Sequence, residues 1–317
     1  MNIVLTGSVA YDYLMTFPGN FRDHILPDRL DRISLSFLVD SLIRRRGGIA
    51  ANIAYTLALL GERPKVMATA GEDFEEFSVW LEEHGVDTSA IKVIPGEFTA
   101  SFFVTTDQAN AQIASFFTGA MAYASQLSFA NLIERPDLAV ISPNDPQAMV
   151  NYARECRQLG IPYVYDPSQQ IIRLDADDLR QGIEGCQALF SNDYEVGLIE
   201  DKTGLSLEAI REYADFVVIT YGEDGANLYT DDDEFHIAAV KPQTIIDPTG
   251  VGDAFRGGFL KGYMHDLSLE RCGQMGSLAA TYCLEAESPM SHQFDMETFI
   301  NRFRQYFDDH GELDQLR

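Results

Sequence analysis

The stretch DPTGVGDAFRGG, residues 247–258, followed by a helix-compatible run through Met264, decides how the rest of the chain reads. Thr249, Gly250, Val251 and Gly252 can close a tight turn whose N–H groups point one way. A helix beginning there adds the positive end of its dipole, so the two together make a cradle for an anion. Asp253 falls in the first turn of that helix. A carboxylate beside an anion site costs electrostatic energy, and accepting the proton of an attacking hydroxyl is a reason to place one there. The same letters also fit a glycine-capped loop in which Asp253 does no more than favour the helix dipole. Gly257 and Gly258 are expected to let the helix pack closely on a sheet.

On the N-terminal side of this stretch, short β-rich runs at 3–5, 66–69, 138–141, 163–165, 188–190 and 216–220 alternate with helix-length amphipathic segments, the pattern of a mostly parallel sheet covered on both faces. Ile49, Ile53, Leu57 and Leu60 recur at helical spacing and stop at Gly61; Phe74, Phe77 and Leu81 do the same and stop at Gly85. Two stretches break this rhythm. DRISLSFLVD (31–40) and FTASFFVTTDQANAQIASFF (98–117) are rich in Ser, Thr, Phe and Val, with a turn at 107–110, and read as extra strands. They are expected to form a small β-lid, about 13–40 and 97–118, on one domain spanning 1–317; peripheral strands of the main sheet are the alternative.

Composition bounds the chemistry. Of 317 residues, 46% are hydrophobic and 23% charged, which suits a large buried core. With 49 acidic against 23 basic side chains and a net charge of −26, the average surface repels phosphate backbones and anionic lipid, so neither nucleic acid nor membrane is an expected partner. An anionic ligand must then be held by local devices. Cys156, Cys186, Cys272 and Cys283 have no metal-ligand spacing and read as buried reduced thiols. No apolar run is long enough for a membrane span, and a cytoplasmic location is expected.

Three further motifs fall in line with the first. Gly47-Gly48-Ile49-Ala50-Ala51-Asn52 runs into a helix, and a Gly-Gly turn allows close approach to the backbone while an amide can donate to and accept from hydroxyls. Asn192-Asp193-Tyr194-Glu195 and Thr220-Tyr221-Gly222-Glu223-Asp224-Gly225 each follow a strand. Taken with Thr249-Gly250-Val251-Gly252-Asp253, in this order, the set resembles the signature of the ribokinase-like (PfkB) carbohydrate and nucleoside kinases, with Pro248 as a departure. VLTGS (4–8), SLSFLVD (34–40), AQIASF (111–116), DPSQQ (166–170) and DPTGVGDAFR (247–256) are similar to the bacterial ribokinase-like adenosine kinases in particular.

What the resemblance implies is specific. The fold would be a three-layer α/β/α sandwich with a small β-sheet lid, and the reaction ATP-dependent phosphorylation of the adenosine 5′-hydroxyl to AMP, a purine-salvage step. Asp253 would be the base and Gly250 and Gly252 the cradle. Ser8, Asp12, Ser36, Gly47, Gly48, Asn52, Phe102, Phe116, Gln169 and Gln170 would hold the nucleoside. Asn192, Thr220, Gly222, Gly225, Thr249 and Arg256 would lie toward ATP, and Glu195 would hold hydrated Mg²⁺. Arg256 reads equally as a phosphate ligand or as the partner of a carboxylate, and Arg44-Arg45-Arg46 as a solvated face beside the lid. Where such kinases carry Gly-Thr-Gln near a monovalent-cation site, this chain reads Glu287-Ser288-Pro289-Met290, which leaves a K⁺ requirement open. Lids of this family often pair into dimers, so the resemblance allows a homodimer through the lid. A sugar kinase acting on ribose or fructose, and a catalytically silent nucleoside-binding protein, are the competing readings.

Overall fold

The computed structural model describes residues 1–25, 32 and 34–317. Among these, the strands in chain order are β1 (Ile3–Thr6), β2 (Ala10–Thr16), β3 (Ser41–Gly47), β4 (Lys65–Met67), β5 (Thr69–Ala70), β6 (Lys92–Val93), β7 (Ala100–Thr106), β8 (Gln112–Phe117), β9 (Leu138–Ile141), β10 (Tyr163–Tyr165), β11 (Ala188–Asn192), β12 (Phe216–Thr220), β13 (Ala226–Tyr229) and β14 (Glu234–Ile237). The helices are α1 (Ile49–Leu59), α2 (Glu75–Glu83), α3 (Pro146–Leu159), α4 (Ala176–Ile183), α5 (Asp193–Thr203), α6 (Leu207–Tyr213), α7 (Val251–Met264), α8 (Leu269–Leu284) and α9 (Met296–Phe303).

Eight strands form the central sheet in the order β14-β13-β12-β11-β10-β9-β1-β4. From β12 to β4 every pairing is parallel, and β13 and β14 add an antiparallel edge. Alternate side chains of the inner strands serve opposite cores. Leu5, Val140, Val164, Phe190 and Val218 pack with α1, α2 and α7 on one face. Val4, Ala139, Tyr163, Leu189 and Val217 pack with α3 and α4 on the other. That is why these strands read as unbroken apolar runs. β1 lies between β4 and β9, so the chain winds away from it in both directions, and a crevice opens at the carboxyl ends of β1 and β9.

A separate four-stranded sheet, β3-β2-β7-β8, stands over that end. The 98–117 reading holds here: β7 and β8 are a hairpin whose turn is tied by Asp107, which accepts from the Ala109 and Ala111 N–H groups. The 31–40 reading needs correction. Residues 34–40 hold no strand, and Asp31 and Ile33 lie outside the described residues. Phe37 instead packs its ring among Phe17, Phe21 and His24, and pairing with β2 begins only at Ser41, opposite Thr16. The Arg44-Arg45-Arg46 run therefore lies within a lid strand.

All four cysteines are free and buried. Among the described residues, no helix is long and apolar enough to cross a membrane.

Candidate active site

α7, like α1 and α2, begins at an N-cap residue that supplies no side-chain cap. Side chains of Asp145, Asp175, Asn192, Ser206, Ser268 and Asp295 cap six other helices, whereas α7 starts at Gly250 with no side-chain cap. The Val251 N–H makes a long 3.5 Å bond to the Pro248 carbonyl, and the N–H groups that follow it are left for another acceptor. Gly250 has φ +74, and a Cβ there would meet Pro289 Cβ at 2.6 Å, so both backbone and space demand glycine. Gly257 and Gly258 close α7 against Thr56 of α1 and Met275 of α8, which corrects the expectation that they face the sheet.

Asp253, in the first turn of α7, accepts a hydrogen bond at Oδ2 from Asn52 Nδ2 at 2.8 Å. Burial raises its pKa against the pull of Arg256. Arg256 sits one turn on, with Nη2 2.7 Å from Oδ1 and Nε 2.7 Å from Oδ2 of Asp166. Its Nη1 lies 2.8 Å from where a Cβ on Gly252 would be. Both sequence readings of Arg256 thus have a physical basis: it is held by a carboxylate and lies against the cradle. Asp166, fully buried at the end of β10, is pushed up to about 7 by burial.

At the ends of β11 and β12, Asn192 and Thr220 are direct neighbours in register. Asn192 and Glu195 form a capping box on α5: Asn192 Oδ1 accepts from the Glu195 N–H at 2.8 Å, and Glu195 Oε2 from the Asn192 N–H at 2.9 Å. Glu195 Oε1 also accepts from Ser168 Oγ at 3.0 Å. The Asn-x-x-Glu spacing is the sequence mark of such a box, a signal present in the sequence and missed. Gly222 and Gly225 bound a short turn after β12 closed by the Tyr221 N–H to the Gly225 carbonyl at 2.8 Å. Thr249 donates its N–H to Asp247 Oδ1 at 2.9 Å.

On the other side of the crevice, Gly48 precedes α1 with φ +97, and a Cβ there would strike Ser8 O at 2.5 Å and Val9 Cα at 2.6 Å. Gly47 has Asp12 Oδ2 2.6 Å from its would-be Cβ. The Gly-Gly pair is thus explained by the close approach of β2 and its carboxylate. Ser8 Oγ accepts from the Ile49 N–H at 3.1 Å, tying the β1 end to the start of α1. Burial pushes Asp12 up to about 6, with Arg45 pulling down and Asp247 and Asp253 adding to the rise.

The lid supplies the roof. Register pairs Arg45 with Asp12, Asp12 with Phe102 and Phe102 with Phe116, so one rung across β3-β2-β7-β8 carries a cation, a carboxylate and two rings on a common face. Under it opens a cleft of about 330 Å³, lined by Ser8, Phe102, Phe116, Gln169 and Gln170, five residues named from the sequence. Thr118, Met121, Pro143 and Arg173 line it as well and were missed, because no local motif marks them. Gln170 is buried, and its Oε1 has no partner. Ser36 is exposed and lies outside this lining. A second cleft, about 430 Å³, lies between Ile246 and the 285–293 stretch.

The pattern of the pfkB family carbohydrate kinase matches residues 9–293. A nucleoside kinase of Methanothermobacter thermautotrophicus is 29% identical over 306 residues, 95% of each chain. The structure of Burkholderia thailandensis nucleoside kinase in complex with inosine is 36% identical, with a TM-score of 0.86 over 96% of this chain and 98% of that one. The same protein in complex with ADP-inosine is 37% identical, with a TM-score of 0.84 over 96% of both chains. The uncapped cradle, the sheet order and these matches agree: the chain has the ribokinase-like fold and belongs to the PfkB family of carbohydrate kinases.

Proposed function

We propose that the chain transfers the γ-phosphoryl group of ATP to the 5′-hydroxyl of a purine nucleoside, with adenosine as the acceptor and AMP and ADP as products, in cytoplasmic purine salvage. The observation that carries this reading is the cleft beneath Phe102 and Phe116, which offers apolar ring faces and an unpaired buried acceptor on Gln170 in addition to the sugar-side residues. A free sugar has no part to fill it. The nucleoside kinases similar to this chain, one of them solved with inosine, support the reading. Initial rates of ADP release across adenosine, inosine, guanosine, cytidine, ribose and fructose test it; higher kcat/KM for ribose or fructose than for every nucleoside overturns it.

In this reading Asp253 Oδ1 takes the hydroxyl proton while Asn52 holds Oδ2, the acceptor oxygen bonds to the γ-phosphorus, and the bond to the β-phosphate oxygen breaks to release ADP. A raised Asp253 pKa strengthens the base. The free N–H groups at the start of α7, with Arg256 beside Gly252, face the charge that develops on the phosphoryl oxygens. Ser8, Asp12, Gly47, Gly48 and Asn52 would hold the ribose, and Asn192, Thr220, Gly222, Gly225 and Thr249 the nucleotide side.

Mg²⁺ is a hard cation that takes oxygen ligands and keeps several waters. Glu195 fits such outer contact, since its oxygens point to the same end of the sheet as Ser168 and its charge is felt by Asp166 and Asp253. Bound there, the ion would neutralise the β and γ oxygens of ATP. Glu195→Gln preserves the capping box, because glutamine serves equally at that position. It is expected to raise the Mg²⁺ concentration for half-maximal rate while leaving acceptor KM within about twofold; an unchanged Mg²⁺ titration removes Glu195 from the metal's surroundings.

The open edge of the lid supports pairing with a second copy: all six residues of β8 are exposed, Ile113, Phe116 and Phe117 among them. Light scattering at micromolar concentration is expected to report a dimer, and Ile113→Lys a monomer; a monomeric wild-type chain refutes the pairing.

A further inference from the structure

The sequence reading treated Arg45 as part of a solvated run, and its neighbours fit that: Arg44 and Arg46 both reach Glu76, which is two-thirds exposed. Arg45 does not. Its Nη1 lies 2.7 Å from Asp247 Oδ2, with the two side chains only 24% and 20% exposed. Asp247 in turn accepts the Thr249 N–H at 2.9 Å, immediately before Gly250. On the lid side, Arg45 is the cross-strand neighbour of Asp12 and shares its face with Phe102 and Phe116. An unbroken line therefore runs from the acceptor-holding rung of the lid, through one ion pair between residues 202 apart in sequence, into the turn that forms the phosphate cradle.

We propose that Arg45 is a positioning residue: its ion pair with Asp247 sets the spacing between the acceptor held under the lid and the phosphoryl group held at the start of α7. In-line transfer tolerates little error in that spacing, and a misplacement of about 1 Å costs on the order of 100-fold. A half-dry pair with a forked donor is suited to the task, since losing either partner leaves the other charge uncompensated.

The test uses Arg45→Gln, Asp247→Asn and the double variant, with Arg45→Lys and Arg44→Gln alongside, on the best acceptor of the panel above. Each single variant is expected to lose about 10- to 100-fold in kcat/KM, mostly in kcat, and the double variant no more than the worse single, because one interaction is being removed. Arg45→Lys recovers part of the loss, and Arg44→Gln stays at wild-type rate. The acid limb of kcat/KM adds a readout that general loosening does not move. Asp12 faces Arg45 from β3, Asp247 from the loop before α7 and Asp253 from α7, and only the ionised carboxylate accepts from hydroxyls at both oxygens with the added strength of its charge, so acceptor binding weakens as pH falls through about 6. Without Arg45 its cationic neighbour is gone while burial and both acids remain, so the limb moves to higher pH.

Arg45→Gln retaining more than half of wild-type kcat/KM with an unmoved limb overturns the proposal, as does a double variant whose loss is the product of the two singles. If Arg45→Gln does not fold, Arg45→Lys and Asp247→Asn carry the comparison. Deuterium exchange of the amides of residues 41–47 with ATP bound needs no acceptor, and so separates this inference from the choice of substrate. Faster exchange in Asp247→Asn supports the tie, and unchanged exchange refutes it.

Discussion

Asp253→Asn is expected to lower kcat by roughly 10²–10⁴ while the protein stays folded and still binds nucleoside, the usual worth of a positioned general base. The substitution keeps the shape of the side chain and an oxygen for Asn52 to donate to. It removes only the proton acceptor. Because burial raises the Asp253 pKa, the ionised carboxylate is disfavoured where it sits, and a neutral amide is expected to leave the melting temperature equal to or above that of the wild type. Lower activity with equal or greater stability separates a chemical role from a structural one. A variant that keeps more than half of wild-type kcat, measured under saturating ATP and acceptor, removes Asp253 from the proton transfer.

The second large effect lies in the lid. Phe102 and Phe116 face each other across β7 and β8 and line the same cleft. A ring stacked on a base is worth roughly 1–3 kcal/mol, so Phe102→Ala or Phe116→Ala is expected to weaken adenosine about 5- to 150-fold, read as a rise in KM. Ribose has no base to lose, and any residual turnover of it is expected to change little. That contrast distinguishes base recognition from damage to the lid as a whole. Equal losses on both substrates in both variants would show that the rings shape the lid without reading the base, and the nucleoside reading would lose its main support.

The parallel sheet was legible because its strands are buried on both faces, which leaves an apolar run for each and a helical repeat between them. β9, β10 and β12 fall at the residues read from the sequence. The cradle was legible because Gly250 answers a local demand, a positive φ at the start of a helix, and local demands leave local letters. The hairpin at 107–110 was legible for the same reason, through Asp107. Phe37 was misread as a strand residue because its partners, Phe17, Phe21 and His24, come from a preceding segment and nothing between them signals an aromatic cluster.

The sheet, the uncapped glycine turn before α7 and the chain order of the motifs around them are all written in short stretches of the chain. Which side chains meet depends on the folded whole. Thr118 and Met121, Pro143, and Arg173 reach the cleft from three separate segments, and Gly47 is pressed by a carboxylate from another strand. Arg45 shows the difference most clearly: the three consecutive arginines are equivalent as letters, but strand alternation sends the middle one to the opposite face, toward a carboxylate 202 residues away. A turn or a cap is set by the backbone of a few neighbouring residues and so is written in them. A charge finds its partner only when lid and body close, and the spacing of that closure is recorded in no single stretch of the chain.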